Sequence, residues 1–138
     1  MIVLDTNVVS ELMRDTPHRG VLDWVAARPT ARIHTTALTR AEVLLGIALL
    51  PKGRRREVMF EAAERVFALS FAERVLPFDA TAAHEYAGIV SSRIRIGRPM
   101  ATIDAQICAI CRAHGATLAT RNGTDFDDCD VDVVNPWA

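Results

Sequence analysis

Four carboxylates stand where alternating strands and helices can gather them: Asp5 after "MIVL", Glu42 in "TTALTRAEVL", Asp104 in "ATIDAQI" and Asp125 in "TRNGTDFDD". Carboxylates held close together raise one another's pKa. They stay ionised as a group when a divalent cation sits among them, and hard oxygen donors suit Mg²⁺ or Mn²⁺. Magnesium takes one or two protein carboxylates directly and leaves other positions to water and phosphate. A metal-bound water is a stronger nucleophile at neutral pH, and a second metal steadies a leaving oxygen. The chemistry expected of such a set is phosphodiester hydrolysis. Each acid also has a scaffold role open to it. Asp5 can cap a helix over 7–13. Thr39 and Glu42 match the S/T-x-x-E capping box. Asp104 suits a helix N-terminus. Asp125, Asp127, Asp128 and Asp130 can form a solvated acidic loop.

The elements that must position these acids follow from apolar periodicity. Strands are expected at 2–5 ("IVLD"), 32–36 ("RIHTT"), 74–78 ("RVLPF"), 116–120 ("ATLAT") and 131–135 ("VDVVN"). Helices are expected at 7–13, 19–28, 38–50, 54–72, 80–96 and 102–114. Helix 38–50 carries Leu38, Ala41, Leu45, Ala48 and Leu49 on its expected core face, and helix 54–72 carries Val58, Ala62, Val66 and Leu69. Thr102 reads as the N-cap and Gly115 as the stop of helix 102–114. Strands alternating with helices predict an α/β fold on a mostly parallel sheet. In such sheets ligands gather beyond the carboxyl ends of the strands. Asp5 ends the first strand, Glu42 and Asp104 lie early in helices that begin at that edge, and Asp125 follows strand 116–120. Topology therefore brings Asp5, Glu42, Asp104 and the Asn122–Asp125 loop to one rim.

Composition narrows the class. A chain of 138 residues, half of them hydrophobic, is expected to form one domain spanning 1–138 with a sizeable core. The start "MIVL" is too short for a signal peptide, and no window approaches a membrane span, so a soluble, cytoplasmic protein without membrane contact is expected. The net charge of −1 excludes a general polyanion-binding surface. Fifteen of the sixteen basic residues are arginine, which suits bidentate phosphate contacts. Three cysteines, with Cys108 and Cys111 inside an apolar helical run, read as buried thiols. The four histidines form no metal-spaced set.

At the quoted acids the sequence resembles PIN domains. "MIVLDTNVVSEL", "TTALTRAEVLLGI", "GRPMATIDAQICAICRAHG" and "LATRNGTDF" are similar to the four signature blocks of that family, in order and across almost the whole chain. The nearest likeness is to the toxin ribonucleases of bacterial VapBC and FitAB toxin–antitoxin pairs. The resemblance implies a three-layer α/β/α fold with a mostly parallel central sheet. It also implies Mg²⁺- or Mn²⁺-dependent endonuclease cleavage of single-stranded RNA, a homodimer and a small cognate antitoxin, with larger toxin–antitoxin complexes. Asp5, Glu42 and Asp104 match the family's three core acids, with metal held mainly by Asp5 and Asp104. The fourth acidic place falls either at Asn122 or at Asp125, and Asp125 is the favoured match. Thr6, Asn7, Thr120 and Asn122 match polar positions that support the pocket. Arg98 and Arg121 are candidates for RNA phosphate contacts, against ordinary exposure on a solvated face.

Other readings fit less well. A haloacid-dehalogenase-like phosphatase needs D-x-D after its first strand, where this chain has Asn7. A receiver domain needs a lysine near a late strand, and the only lysine is Lys52. "KGRRRE" at 52–57 reads as a solvated helix start, an antitoxin contact or an RNA-backbone contact. The rival from another class is a catalytically silent PIN-like module that binds RNA or protein.

Overall fold

The short apolar run after Met1 forms β1 (Ile2–Leu4), and every residue of it is buried. The computed structural model describes residues 1–138. The other strands are β2 (Ile33–Thr36), β3 (Val75–Leu76), β4 (Thr117–Ala119) and β5 (Val133–Val134). They join in the order β3-β2-β1-β4-β5, and every neighbouring pair is parallel. Ile2 lies opposite both Ile33 and Thr117, and Leu4 opposite Ala119.

Strand alternation divides the core into two. Ile2, Leu4 and Ala119 pack with Val8, Val9, Val21, Val43 and Phe67, from the layer built by α1 (Thr6–Leu12), α2 (Arg19–Ala26), α3 (Ala37–Ala48) and α4 (Arg54–Arg65). Val3 and Leu118 point the other way, onto Ile89, Ile107 and Ile110 of α5 (Ala80–Arg95) and α6 (Thr102–His114). A sheet between two helical layers is the expected three-layer arrangement. Its apolar side chains each contribute about 1.5–3 kcal/mol by burial. Cys108, Cys111 and Cys129 are free and buried in the second layer.

Several local expectations are corrected. The buried face of α3 is Thr39, Val43 and Ile47, whereas Leu45 and Leu49 are 59% and 77% exposed. This helix is apolar nearly all round, so periodicity does not select its inner face. The inner face of the next helix is Ala63 and Phe67, while Val58 and Leu69 are exposed. Its last turn widens into a π-helical stretch (Val66–Ser70), closed by Phe71 N–H donating to Val66 O at 2.9 Å. Phe67 and Phe71 turn inward, with rings 6.2 Å apart, and Leu69 turns out. Thr102 is the first helical residue of α6; Ala101 occupies the N-cap and gives no side-chain bond. Gly115 ends that helix at φ +60°, in the left-handed region that glycine adopts without strain.

Candidate active site

The site is built at the carboxyl ends of β1, β2 and β4. Strand order reverses on either side of β1: β2 is reached through the first helical layer, and β4 through the second. The crevice between β1 and β4 is thus the switch point where open sheets bind ligands.

Asp5 leaves β1 into this crevice and is 6% exposed. It is also the N-cap of α1, accepting from Thr6 N–H at 2.8 Å. Its other oxygen accepts from Thr120 Oγ1 at 2.7 Å and from Asn7 Nδ2 at 3.4 Å. Asn7 bridges the two strand ends: its Nδ2 donates to Thr120 Oγ1 at 3.2 Å, and its Oδ1 accepts from Arg121 N–H at 3.2 Å. Thr120, fully buried, also accepts from Asn122 N–H at 3.1 Å.

Glu42 is not half of a capping box with Thr39. The N-cap of α3 is Thr36, whose Oγ1 accepts from Thr39 N–H at 3.1 Å. Glu42 therefore sits in the second turn of α3 with its carboxylate free to reach across to α1. Thr6 Oγ1 donates to Glu42 Oε1 at 2.6 Å and lies 3.2 Å from Thr39 Oγ1. One hydroxyl thus links the first acid's helix to the second acid.

Asp104 lies in the first turn of α6, partly buried. Asp125 lies in a 3-10 turn (Gly123–Phe126) anchored by buried Phe126, and its N–H donates to Asn122 O at 3.0 Å. Asn122 precedes that turn and is exposed; Asp125 is the acid of this loop whose charge reaches both Asp5 and Asp104.

Electrostatics ties the four together. Burial raises the Asp5 pKa, the bonds from Thr120 and Thr6 lower it, and the charges of Glu42 and Asp125 raise it again, with a net rise. Asp104 is pushed up to about 6, first by burial and then by Asp5, Asp125 and Glu42. No Lys, Arg or His forms a salt bridge with any of the four. No three His, Cys, Asp or Glu side chains enclose an ion by themselves. An all-oxygen rim with uncompensated negative charge, too open to hold an ion through three side chains, fits a hydrated hard dication that keeps water in its remaining positions.

The two candidate arginines are each engaged within the chain. Arg98 is engaged by its own chain, with Nη1 2.8 Å from Asp128 Oδ2 and Nη2 3.8 Å from Asp127 Oδ2. The Arg121 guanidinium lies 5.0 Å from the centre of the Trp137 ring. Sequence reasoning passed over Arg93, buried at 5% exposure behind the Asp125 turn. An arginine in the last turn of an amphipathic helix ordinarily reads as solvated, so no sequence signal marks it.

Comparison with known proteins identifies the family. The family model "PIN domain" matches residues 2–131. The chain is 39% identical over 137 residues to VapC ribonuclease Y4jK of Sinorhizobium fredii, covering 99% of this chain and 98% of that one. It is 40% identical to Toxin FitB of Neisseria gonorrhoeae, covering 99% of each. The crystal structure of FitAcB from Neisseria gonorrhoeae superposes with a TM-score of 0.92 at 40% identity, over 99% of both chains. With its parallel sheet, its acidic rim at the switch point and matches of this extent, the chain belongs to the PIN-domain family.

Proposed function

We propose that this chain is the toxin of a toxin–antitoxin pair, a metal-dependent endoribonuclease that hydrolyses RNA phosphodiester bonds. The observation that carries the reading is the convergence of Asp5, Glu42, Asp104 and Asp125 with no basic side chain paired to them. Similarity over nearly the full length to proteins named as a VapC ribonuclease and as Toxin FitB supports the substrate and the role.

Asp5 and Asp104 are the residues that would hold Mg²⁺ or Mn²⁺. When bound, the ion supplies neutralising charge at the scissile phosphate and acidifies an attacking water. The remaining work falls to side chains. Glu42, oriented by Thr6, aligns the water and accepts its proton at a carboxylate oxygen. Asp125, whose charge reaches Asp5 and Asp104, supports the ion's site and helps orient that water. Thr120 and Asn7 fix the Asp5 carboxylate, and Asn122 continues that polar wall. Arg121 and Arg98 stand where an RNA backbone would enter; Arg98 would have to exchange its aspartate partners for phosphate.

An antitoxin needs a surface to hold. An apolar groove of about 360 Å³ runs along Leu12, Met13, Leu22, Val25 and Phe71, flanked by Arg28 and Arg74. Its lining suits the apolar side of a partner helix carrying acidic groups. A homodimer would cover other apolar surface, including Leu45 and Leu49.

The test is incubation with structured and unstructured RNA in Mg²⁺, Mn²⁺ or EDTA. Metal-dependent cleavage, abolished in Asp5→Asn and Asp104→Asn, is expected. RNA binding without cleavage in any of these conditions would identify a silent binding module instead. Expression alone should slow growth, and the protein encoded beside it should relieve the effect. Equal harmlessness of wild type and Asp5→Asn in the native host would remove the toxin assignment.

A further inference from the structure

Arg93 is the one arginine buried in the core, and it has no carboxylate partner. Its donors go to main-chain oxygens and a thiol. Nε donates to Arg98 O at 2.5 Å, and Nη1 donates to Asp127 O at 2.6 Å and reaches Asp125 O at 3.4 Å and Cys129 Sγ at 3.6 Å. In return Arg98 N–H donates to Arg93 O at 2.8 Å, closing the bend at Gly97, φ +73°.

The three segments so joined are not neighbours in sequence. One is the end of α5. The second is 96–101, which leads directly into α6 and Asp104. The third is the turn that carries Asp125. An unpaired guanidinium in the interior is costly, and it persists where several charge-assisted bonds satisfy it at once. Its planar fork sets the directions of those bonds, which a lysine cannot reproduce. The C-terminal end of α5 adds a favourable dipole. Outside the same loop, Arg98 grips Asp127 and Asp128 from solvent, so the turn is held on both sides.

We propose that Arg93 is a positioning residue for the active site: by bonding the main chain at 125 and 127, it holds the Asp125 carboxylate toward Asp5 and Asp104. The inference rests on the reading of Asp125 as a member of the site. It touches neither the metal position nor the substrate, and the proposal requires its effect on the site to pass through the Asp125 turn rather than through segment 96–101 and Asp104.

That requirement gives the test. Mn²⁺ is titrated, without RNA, into wild type, Arg93→Gln, Arg93→Lys, Asp125→Asn and the Arg93→Gln/Asp125→Asn double variant. The free ion is followed by electron paramagnetic resonance. Asp125→Asn and Arg93→Gln should each weaken binding by about tenfold, the usual scale for removing support from a metal site. The double variant should bind as Asp125→Asn does, because the carboxylate that Arg93 positions is already gone. Arg93→Lys should fall between wild type and Arg93→Gln, and it carries the test if Arg93→Gln does not fold. Amide hydrogen exchange over 121–130 should rise in Arg93→Gln and not in Asp125→Asn. A folded Arg93→Gln with wild-type Mn²⁺ affinity overturns the proposal. So do losses that multiply in the double variant, which would mean a general structural role. If Asp125→Asn itself leaves the affinity unchanged, the membership of Asp125 fails first, and the proposal fails with it.

Discussion

Asp104→Asn should stabilise the metal-free protein while destroying its response to metal. Asp104 is pushed up from 3.8 to about 6 by burial and by its three acidic neighbours. A raised carboxyl pKa means that the folded state resists ionisation. The unfolded chain releases this proton near its ordinary value, so stability falls as pH climbs through the interval from about 4 to about 6 and stays low above it. Each tenfold change in proton affinity corresponds to about 1.4 kcal/mol, which sets a ceiling of about 3 kcal/mol. Asp104 sits partly open to solvent, and screening reduces this to about 1.5 kcal/mol. Losing a negative charge from the first turn of α6 returns about 0.5 kcal/mol. The net gain of about 1 kcal/mol raises Tm by about 3–4 °C in a domain of this size. Thermal melts in EDTA at pH 7.5 and pH 4 measure it: the gain appears at pH 7.5 and shrinks toward pH 4. With Mn²⁺ at one hundred times its Kd, wild type gains about 2.7 kcal/mol and the order reverses. A variant that melts below wild type in EDTA at pH 7.5, or whose advantage is the same at both pH values, would refute the reasoning.

Other expectations follow from single contacts. Thr120→Val removes the donor to Asp5 and strands the Asn122 N–H. It should cost about 1–3 kcal/mol in denaturant unfolding and move the acid limb of RNA cleavage to higher pH, since this bond holds the Asp5 carboxyl down. The thiols should resist a disulfide reagent in the native state and react on unfolding, because burial pushes Cys111 up to about 12 and raises Cys108 as well. On α3, Ile47→Ala should cost about 2–4 kcal/mol, read from urea melts, because Ile47 is buried in the first core.

The order of elements was legible because each is punctuated: "PKG", "GRP" and Gly115 interrupt helical runs, and β-branched tracts fall between them. Given that order, parallel topology alone brings Asp5, Glu42, Asp104 and the Asp125 loop to one edge. What periodicity missed has physical causes. The inward face of α3 is undetermined where apolar side chains surround the helix. The buried face of α4 runs one residue later than the expected Val58, Ala62 and Val66, through Ala63 and Phe67, because a helix with several apolar positions on adjoining faces does not mark which of them turns inward. Thr36 and Thr39 are both able to cap, and the choice depends on where β2 ends. Asn7 and Arg93 act through partners more than one hundred and about thirty residues away respectively, and no local pattern encodes such contacts.

Diffraction from crystals soaked in Mn²⁺, with anomalous difference density computed at the manganese edge, tests the central claim most directly. The account predicts a peak in the crevice between β1 and α6, within bonding distance of carboxylate oxygens of Asp5 and Asp104 and otherwise surrounded by water. A fully soaked crystal with no density there, or with manganese held elsewhere while these carboxylates remain unliganded, would contradict it.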